Sequence, residues 1–157
     1  MKVLFKNVLL FSILVFSVAC SKNKIPKDAT SFKGHHYKVY YEHVSWQQAQ
    51  LKCVKMGGML ASVKSKEIND FIYKLSKGTC LWLGASDKLM EGTWLWRDGS
   101  PMNYTNWASK GPDNWYDGNE HWLVIGWPSE RYNHGKWGDT REHKRDQIIG
   151  FVCEWTN

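Results

Sequence analysis

A chain of 157 residues is long enough for one domain with its own core and short for two. The formal charge of +6 is moderate, and the one basic run, residues 141–145, is interrupted by Glu142 and His143, which excludes a nucleic-acid surface. The outlying figure is the aromatic content of 15%, with ten Trp, nine of them from Trp82 onward, a composition suited to cores and to ligand surfaces alike.

The N-terminus has the form of an export signal. Lys2 and Lys6 precede an apolar run, residues 8–19, too short to anchor a chain across a bilayer. The run ends in Ser17-Val18-Ala19-Cys20, which resembles a bacterial lipobox, although Ser17 stands where Leu is usual. The expected layout is a signal peptide over residues 1–19, a lipidated Cys20 with a polar tether over 20–33, and one domain over 34–157. The protein is then exported and held on a membrane, at a bacterial cell surface, by its lipid; the alternative is an ordinary cut near Ala19 and a secreted protein. With Cys20 lipidated, Cys53, Cys80 and Cys153 remain, and an oxidising compartment favours one disulfide among them. Cys80, beside an apolar strand, reads as a buried thiol; a reactive Cys80 is the alternative, with no His nearby in sequence to activate it.

Residues 37–42 read as a first strand. Val44-Ser45-Trp46-Gln47-Gln48-Ala49 reads as a helix start: Ser45 caps, Gln48 reaches back, and Val44 packs on Ala49. Trp46, Ala49, Cys53 and Val54 form its apolar face, and Gly57-Gly58 ends it. Ser65 caps a second helix with Ile68, Phe71, Ile72 and Leu75 on one face and Gly78 beyond its end. Leu81-Trp82-Leu83-Gly84 and residues 93–97, 121–126 and 148–155 read as strands, with Asp98-Gly99 as a hairpin turn. Two helices followed by strands predict an α+β fold, and the irregular stretches between strands are longer than a compact domain needs for connection alone.

The longest of these, residues 107–139, collects hard oxygen ligands of the kind Ca²⁺ takes: Asp113, Asn114, Glu120 and Asp139. Pro112 can take a cis peptide bond, which would fold the loop toward one point.

From Tyr37 to Trp155 the chain resembles a C-type lectin-like domain. Trp82-Leu83-Gly84-Ala85 is similar to that family's core strand, Gly111-Pro112-Asp113 to its proline loop motif, Trp137-Gly138-Asp139 to its Trp-Asn-Asp motif, and Phe151-Val152-Cys153-Glu154 to its last strand. The resemblance implies two helices packed on small antiparallel sheets with a long ligand-binding loop. It pairs Cys53 with Cys153, a closure of about 100 residues and up to about 4–5 kcal/mol in the chain-entropy model. It implies a Ca²⁺ site using Asp113, Glu120 and Asp139, with Gly111 and Gly138 where two further ligands belong. An auxiliary site would use Asp87, Glu91, Asn114 and Glu120. Pro112-Asp113-Asn114-Trp115 resembles the galactose-selective loop, in which a Trp stacks on the sugar; Trp115 takes that role or is a loop anchor buried against Trp107 or Trp137. The family's second disulfide is missing, so the loop would be braced by packing of Trp122 and Trp127 or by Ca²⁺ itself. Residues 140–147 are charged and expected to be exposed.

No nucleophile elbow and no His pair at helical metal spacing is present, so the chain does not read as an enzyme. The function implied is a cell-surface, Ca²⁺-dependent module for carbohydrate or glycoprotein, of galactose type. The alternative is a lectin-like domain that binds a protein or another non-sugar ligand without calcium, in the manner of an adhesin.

Overall fold

The computed structural model describes residues 25–115, 118–127, 135–142 and 146–156. The signal peptide, Cys20 and part of the tether lie outside the described residues, as do residues 143–145 of the basic run. The elements in chain order are β1 (Thr30–Phe32), β2 (His35–Tyr40), α1 (Trp46–Lys55), β3 (Met59–Leu60), α2 (Lys66–Leu75), β4 (Cys80–Ser86), β5 (Leu95–Trp96), β6 (Trp122–Ile125), β7 (Trp137–Thr140) and β8 (Ile148–Thr156).

The strands form one connected sheet in the order β1-β2-β8-β4-β6-β7, with β3 attached to β8 and β5 to β4. All pairs are antiparallel except β4 with β8, which makes the sheet mixed. The small antiparallel sheets expected from the sequence are therefore joined through that parallel pair. Three strands were not read in advance, the shortest being Met59–Leu60, which pairs with β8. Thr30–Phe32, assigned to the tether, pairs with β2, so the ordered sheet begins before residue 34. Trp137–Thr140, read only as a ligand motif, pairs with β6.

Why the central strands read as unbroken apolar runs is now plain: both faces of the sheet are covered. On one face Leu81, Leu83 and Ala85 of β4, Leu123 and Ile125 of β6 and Val152 of β8 pack with Ile72 of α2. On the other, Cys80 and Trp82, Trp122 and Val124, and Phe151, Cys153 and Trp155 pack with Trp46, Ala49 and Cys53 of α1. Successive strand residues alternate between the two cores, as the period of two requires.

Both helix starts follow the sequence. Ser45 Oγ accepts from the Gln48 N–H at 3.2 Å, while Gln48 Oε1 accepts from the Ser45 N–H at 3.1 Å, a complete capping box. Ser65 Oγ caps α2 through the Ile68 N–H. One helix assignment is corrected. Val54 is exposed, and Gln50 takes the fourth buried position of α1, because 46, 49, 50 and 53 follow the helical stripe and 54 lies past its edge. The buried Gln50 amide is satisfied by accepting from the Leu60 N–H at 3.1 Å.

Cys53 and Cys153 form the disulfide, fastening α1 to β8. Cys80 is a free, buried thiol whose pKa burial pushes up to about 12, so it is held protonated and unreactive.

Candidate functional site

The Trp-rich half of the chain is mostly scaffold. Trp94, Trp96, Trp107 and Tyr104 surround the Trp137 ring or one another edge-on, with centroids 4.9–6.0 Å apart. The Trp137 Nε1–H donates to Asn69 Oδ1 of α2 at 2.7 Å, so the cluster ties the loop to a helix. The loop enters beside β7: the Ala108 N–H donates to the Trp137 carbonyl at 2.8 Å, and the Trp137 N–H to the Asn106 carbonyl at 2.9 Å. Gly111-Pro112-Asp113 follows directly, with a cis bond between Gly111 and Pro112, and so lies beside the Asp139 end of β7. Glu120 reaches the same point because it precedes β6, whose Leu123 faces Asp139 in the antiparallel register.

Asp113, Glu120 and Asp139 consequently offer carboxylate oxygens that all lie within 4.8 Å of one another. Both oxygens of Asp139 accept backbone N–H groups, from Asp113 at 3.1 Å and Asn114 at 2.8 Å. Glu120 Oε2 accepts from the Trp115 N–H at 2.9 Å. Burial of Asp139 raises its pKa, the two backbone donors oppose the rise, and the nearby Asp113 charge adds to it. Hard, negatively charged oxygens at this spacing fit Ca²⁺, and each carboxylate keeps lone pairs beyond the hydrogen bonds it accepts.

The two glycines differ physically. At Gly111 an added Cβ meets nothing closer than 3.5 Å. At Gly138 it would lie 2.7 Å from the Trp127 ring. Trp127 therefore fills the space in which the resemblance puts an amide ligand, and a cavity of about 30 Å³ remains between Gly111, Asp113, Trp127, Gly138 and Asp139. The expected bracing by Trp127 is seen in this contact, and Trp122 is buried in the core of α1's face.

Trp115 is 76% exposed. It is not an anchor buried on Trp107 or Trp137; its side chain is exposed, while its backbone N–H is held by the Glu120 carboxylate.

The second expected cluster forms with a changed membership. Asp87 and Glu91 are joined by His121, which the sequence reading missed. His121 Nδ1 lies 3.0 Å from Asp87 Oδ1 and 3.5 Å from Glu91 Oε2. Asp87 Oδ2 accepts from the Gly92 N–H, and Glu91 Oε1 accepts from Asn114 Nδ2 at 2.8 Å. Its third member is a His nitrogen where Ca²⁺ takes oxygens, and the carboxylates are tied to the Gly92 N–H, Asn114 and His121, so the set fits a hydrogen-bonded strut better than a Ca²⁺ shell. Asn114 joins the clusters: its N–H goes to Asp139, its Oδ1 accepts from the Glu120 N–H at 3.0 Å, and its Nδ2 goes to Glu91. It does so at φ 47°, in the left-handed region where Asn is tolerated better than most residues. His121 reaches Asp87 only because Trp122 pairs with Ser86 across β4 and β6, a register with no local sequence signal.

Residues 140–147 are corrected in part. Thr140 is buried as the last residue of β7, Arg141 and Glu142 are half-buried, and Asp146 and Gln147 are exposed.

A mixed sheet sandwiched by two helices, with a long loop bringing carboxylates to its tip, defines a lectin-type binding domain. Residues 42–155 match the Lectin C-type domain model, and the chain belongs to that family. It is 44% identical over 78 residues to the type-2 ice-structuring protein of Hemitripterus americanus, a match covering 48% of this chain and 47% of that one. It is 32% identical over 108 residues to the versican core protein of Rattus norvegicus, covering 69% of this chain and 4% of versican. The chain thus spans about half the length of the first relative and a small part of the second. The carbohydrate-recognition domain of the mouse scavenger receptor C-type lectin superposes with a TM-score of 0.70 at 28% identity, covering 84% of this chain and 96% of that domain.

Proposed function

We propose that this domain binds carbohydrate of galactose type with the help of Ca²⁺ held by Asp113, Glu120 and Asp139. The observation that carries the reading is the convergence of those three carboxylates, one of which accepts the backbone N–H of the exposed Trp115. Bound there, Ca²⁺ would supply a hard Lewis acid for neighbouring sugar hydroxyls. The carboxylates orient those hydroxyls as acceptors, and Trp115 offers a flat apolar face to the C–H side of the sugar ring. Asp87, Glu91, His121 and Asn114 hold the loop in place through hydrogen bonds.

Its test is capture on immobilised galactose. Retention in millimolar Ca²⁺, release by chelator, and loss in Asp113→Ala and Trp115→Ala that still unfold cooperatively are the expected results. Retention unchanged in chelator would sink the calcium reading.

A second reading, a non-sugar ligand bound without calcium, draws on the Trp127 ring over Gly138 and on the likeness to an ice-structuring protein. Export rests on residues 1–19 and membrane tethering on Cys20. An intact mass of the mature chain with a lipid adduct on Cys20 supports the tether, and a plain cut at Ala19 rules it out.

A further inference from the structure

An open groove of about 530 Å³ runs between α1 and the segment that joins β4 to β5, and it shares no lining residue with the carboxylate cluster. Leu51, Leu89 and the half-buried Leu95 give it an accessible apolar lining, above the buried Trp46, Trp96 and Trp122. Leu51 and Leu89, at its rim, are 59% and 91% exposed and so open to a ligand.

The polar lining has one sign. Lys88 and Arg97 border the groove, and no Asp or Glu does. The Arg97 guanidinium carbon lies 5.4 Å from the centre of the Trp46 ring, and Lys88 Nζ lies 5.8 Å from that of Trp122. Among the described residues neither cation has a carboxylate partner, whereas Lys33, Lys38, Lys52, Lys64 and Lys66 all do. The backbone at the groove is not an open strand edge: the Trp96 N–H bonds to the Ser100 carbonyl and the Arg97 N–H to the Gly84 carbonyl. An extended peptide would find no free ladder to join. An apolar groove of this size with a few convergent polar groups suits a small amphiphile.

We propose that this groove binds a single amphipathic carboxylate, a medium-chain fatty acid, with its tail on Leu51, Leu89 and Leu95 and its head group on Arg97 within the added field of Lys88. A guanidinium fork matches a carboxylate in a way that a neutral or cationic head group cannot use. The three Trp rings make occupancy readable by fluorescence.

The experiment is a titration of the full chain with dodecanoate, kept below its micellar concentration and in excess chelator, followed by Trp fluorescence. The expected result is a saturable change, with dodecan-1-ol and dodecylammonium binding at least about tenfold more weakly. Lys88→Gln with Arg97→Gln should weaken dodecanoate about tenfold and remove its advantage over the alcohol. Leu89→Asp should weaken it similarly, and because Leu89 is 91% exposed this variant keeps the fold intact. No saturable response, equal binding of the alcohol, or unchanged binding by Leu89→Asp overturns the proposal. So does binding of an acidic, Leu-containing peptide in place of dodecanoate. Galactose capture by Leu89→Asp in Ca²⁺ should equal that of the parent chain, which separates a failure here from a failure of the sugar site.

Discussion

Gly111 and Gly138 look alike in sequence, since each stands where a side-chain ligand is expected, and the structure separates them. Neither has a positive φ, so neither is required for backbone reasons. Gly111 borders open space, and a longer side chain there meets only ordinary contacts from Ala108 and Trp107. Gly111→Gln should therefore add an oxygen to the cluster and tighten Ca²⁺ binding several-fold, about 1 kcal/mol, in titration calorimetry. Gly138→Asn forces its Cβ against the Trp127 ring at 2.7 Å. Overpacking of that kind costs about 1–3 kcal/mol, to be read as a lower urea midpoint at unchanged slope. Equal stability of the two variants would contradict the distinction. Asp113, Glu120 and Asp139 were legible in the sequence as candidate ligands, and the fold brings their carboxylates together. His121 and the position of Trp127 were not, because each depends on which residue a paired strand sets opposite.

At the scale of elements, β8 holds the domain together. It pairs with β2, β3 and β4, carries Cys153 of the disulfide, and presents Glu154 to three segments at once. Glu154 Oε2 accepts from the Ser62 N–H at 2.7 Å, and Oε1 accepts from the Tyr37 hydroxyl at 3.3 Å and faces His35 Nδ1. Burial raises the Glu154 pKa above the ordinary 4.5, and the Ser62 N–H, His35 and Tyr37 oppose the rise without cancelling it. A carboxyl that holds its proton more tightly when folded makes the native state the better proton binder. Its contribution is then fully present below the unfolded pKa and is lost as pH rises through the folded one. Glu154→Gln does not ionise, so its stability relative to the parent should improve as pH is raised from about 4 to 7. A constant difference across denaturation curves at those pH values would contradict this. The helix caps, both helix spans and the core strands were readable because each is a local pattern. Strands β1 and β7 were not: Thr30–Phe32 and Trp137–Thr140 have little alternation of their own and become strands by pairing with β2 and β6.

For the molecule as a whole, a cation held by Asp113, Glu120 and Asp139 would be a stability term as well as a ligand bridge. Three carboxylates converge, and Asp139 among them is 4% exposed, so like charge is gathered at one buried point. A cation that binds only the folded state stabilises it by mass action, about 2.7 kcal/mol at a hundredfold excess over its Kd. Millimolar Ca²⁺ should raise the Tm in a saturable way, chelator should reverse it, and Glu120→Ala should abolish the shift. A Tm indifferent to Ca²⁺ would leave the domain to the non-sugar reading. The sequence by itself determined the family, the two capped helices, the half-cystines and the three carboxylates, because these rest on residue identity and on periods of two and 3.6. Only the tertiary structure decided that Trp115 is exposed, that Trp127 occupies the Gly138 gap, and that His121 and Asn114 satisfy Asp87 and Glu91. Those outcomes follow from strand register and from competition for one packed volume, and both relate residues far apart in the chain.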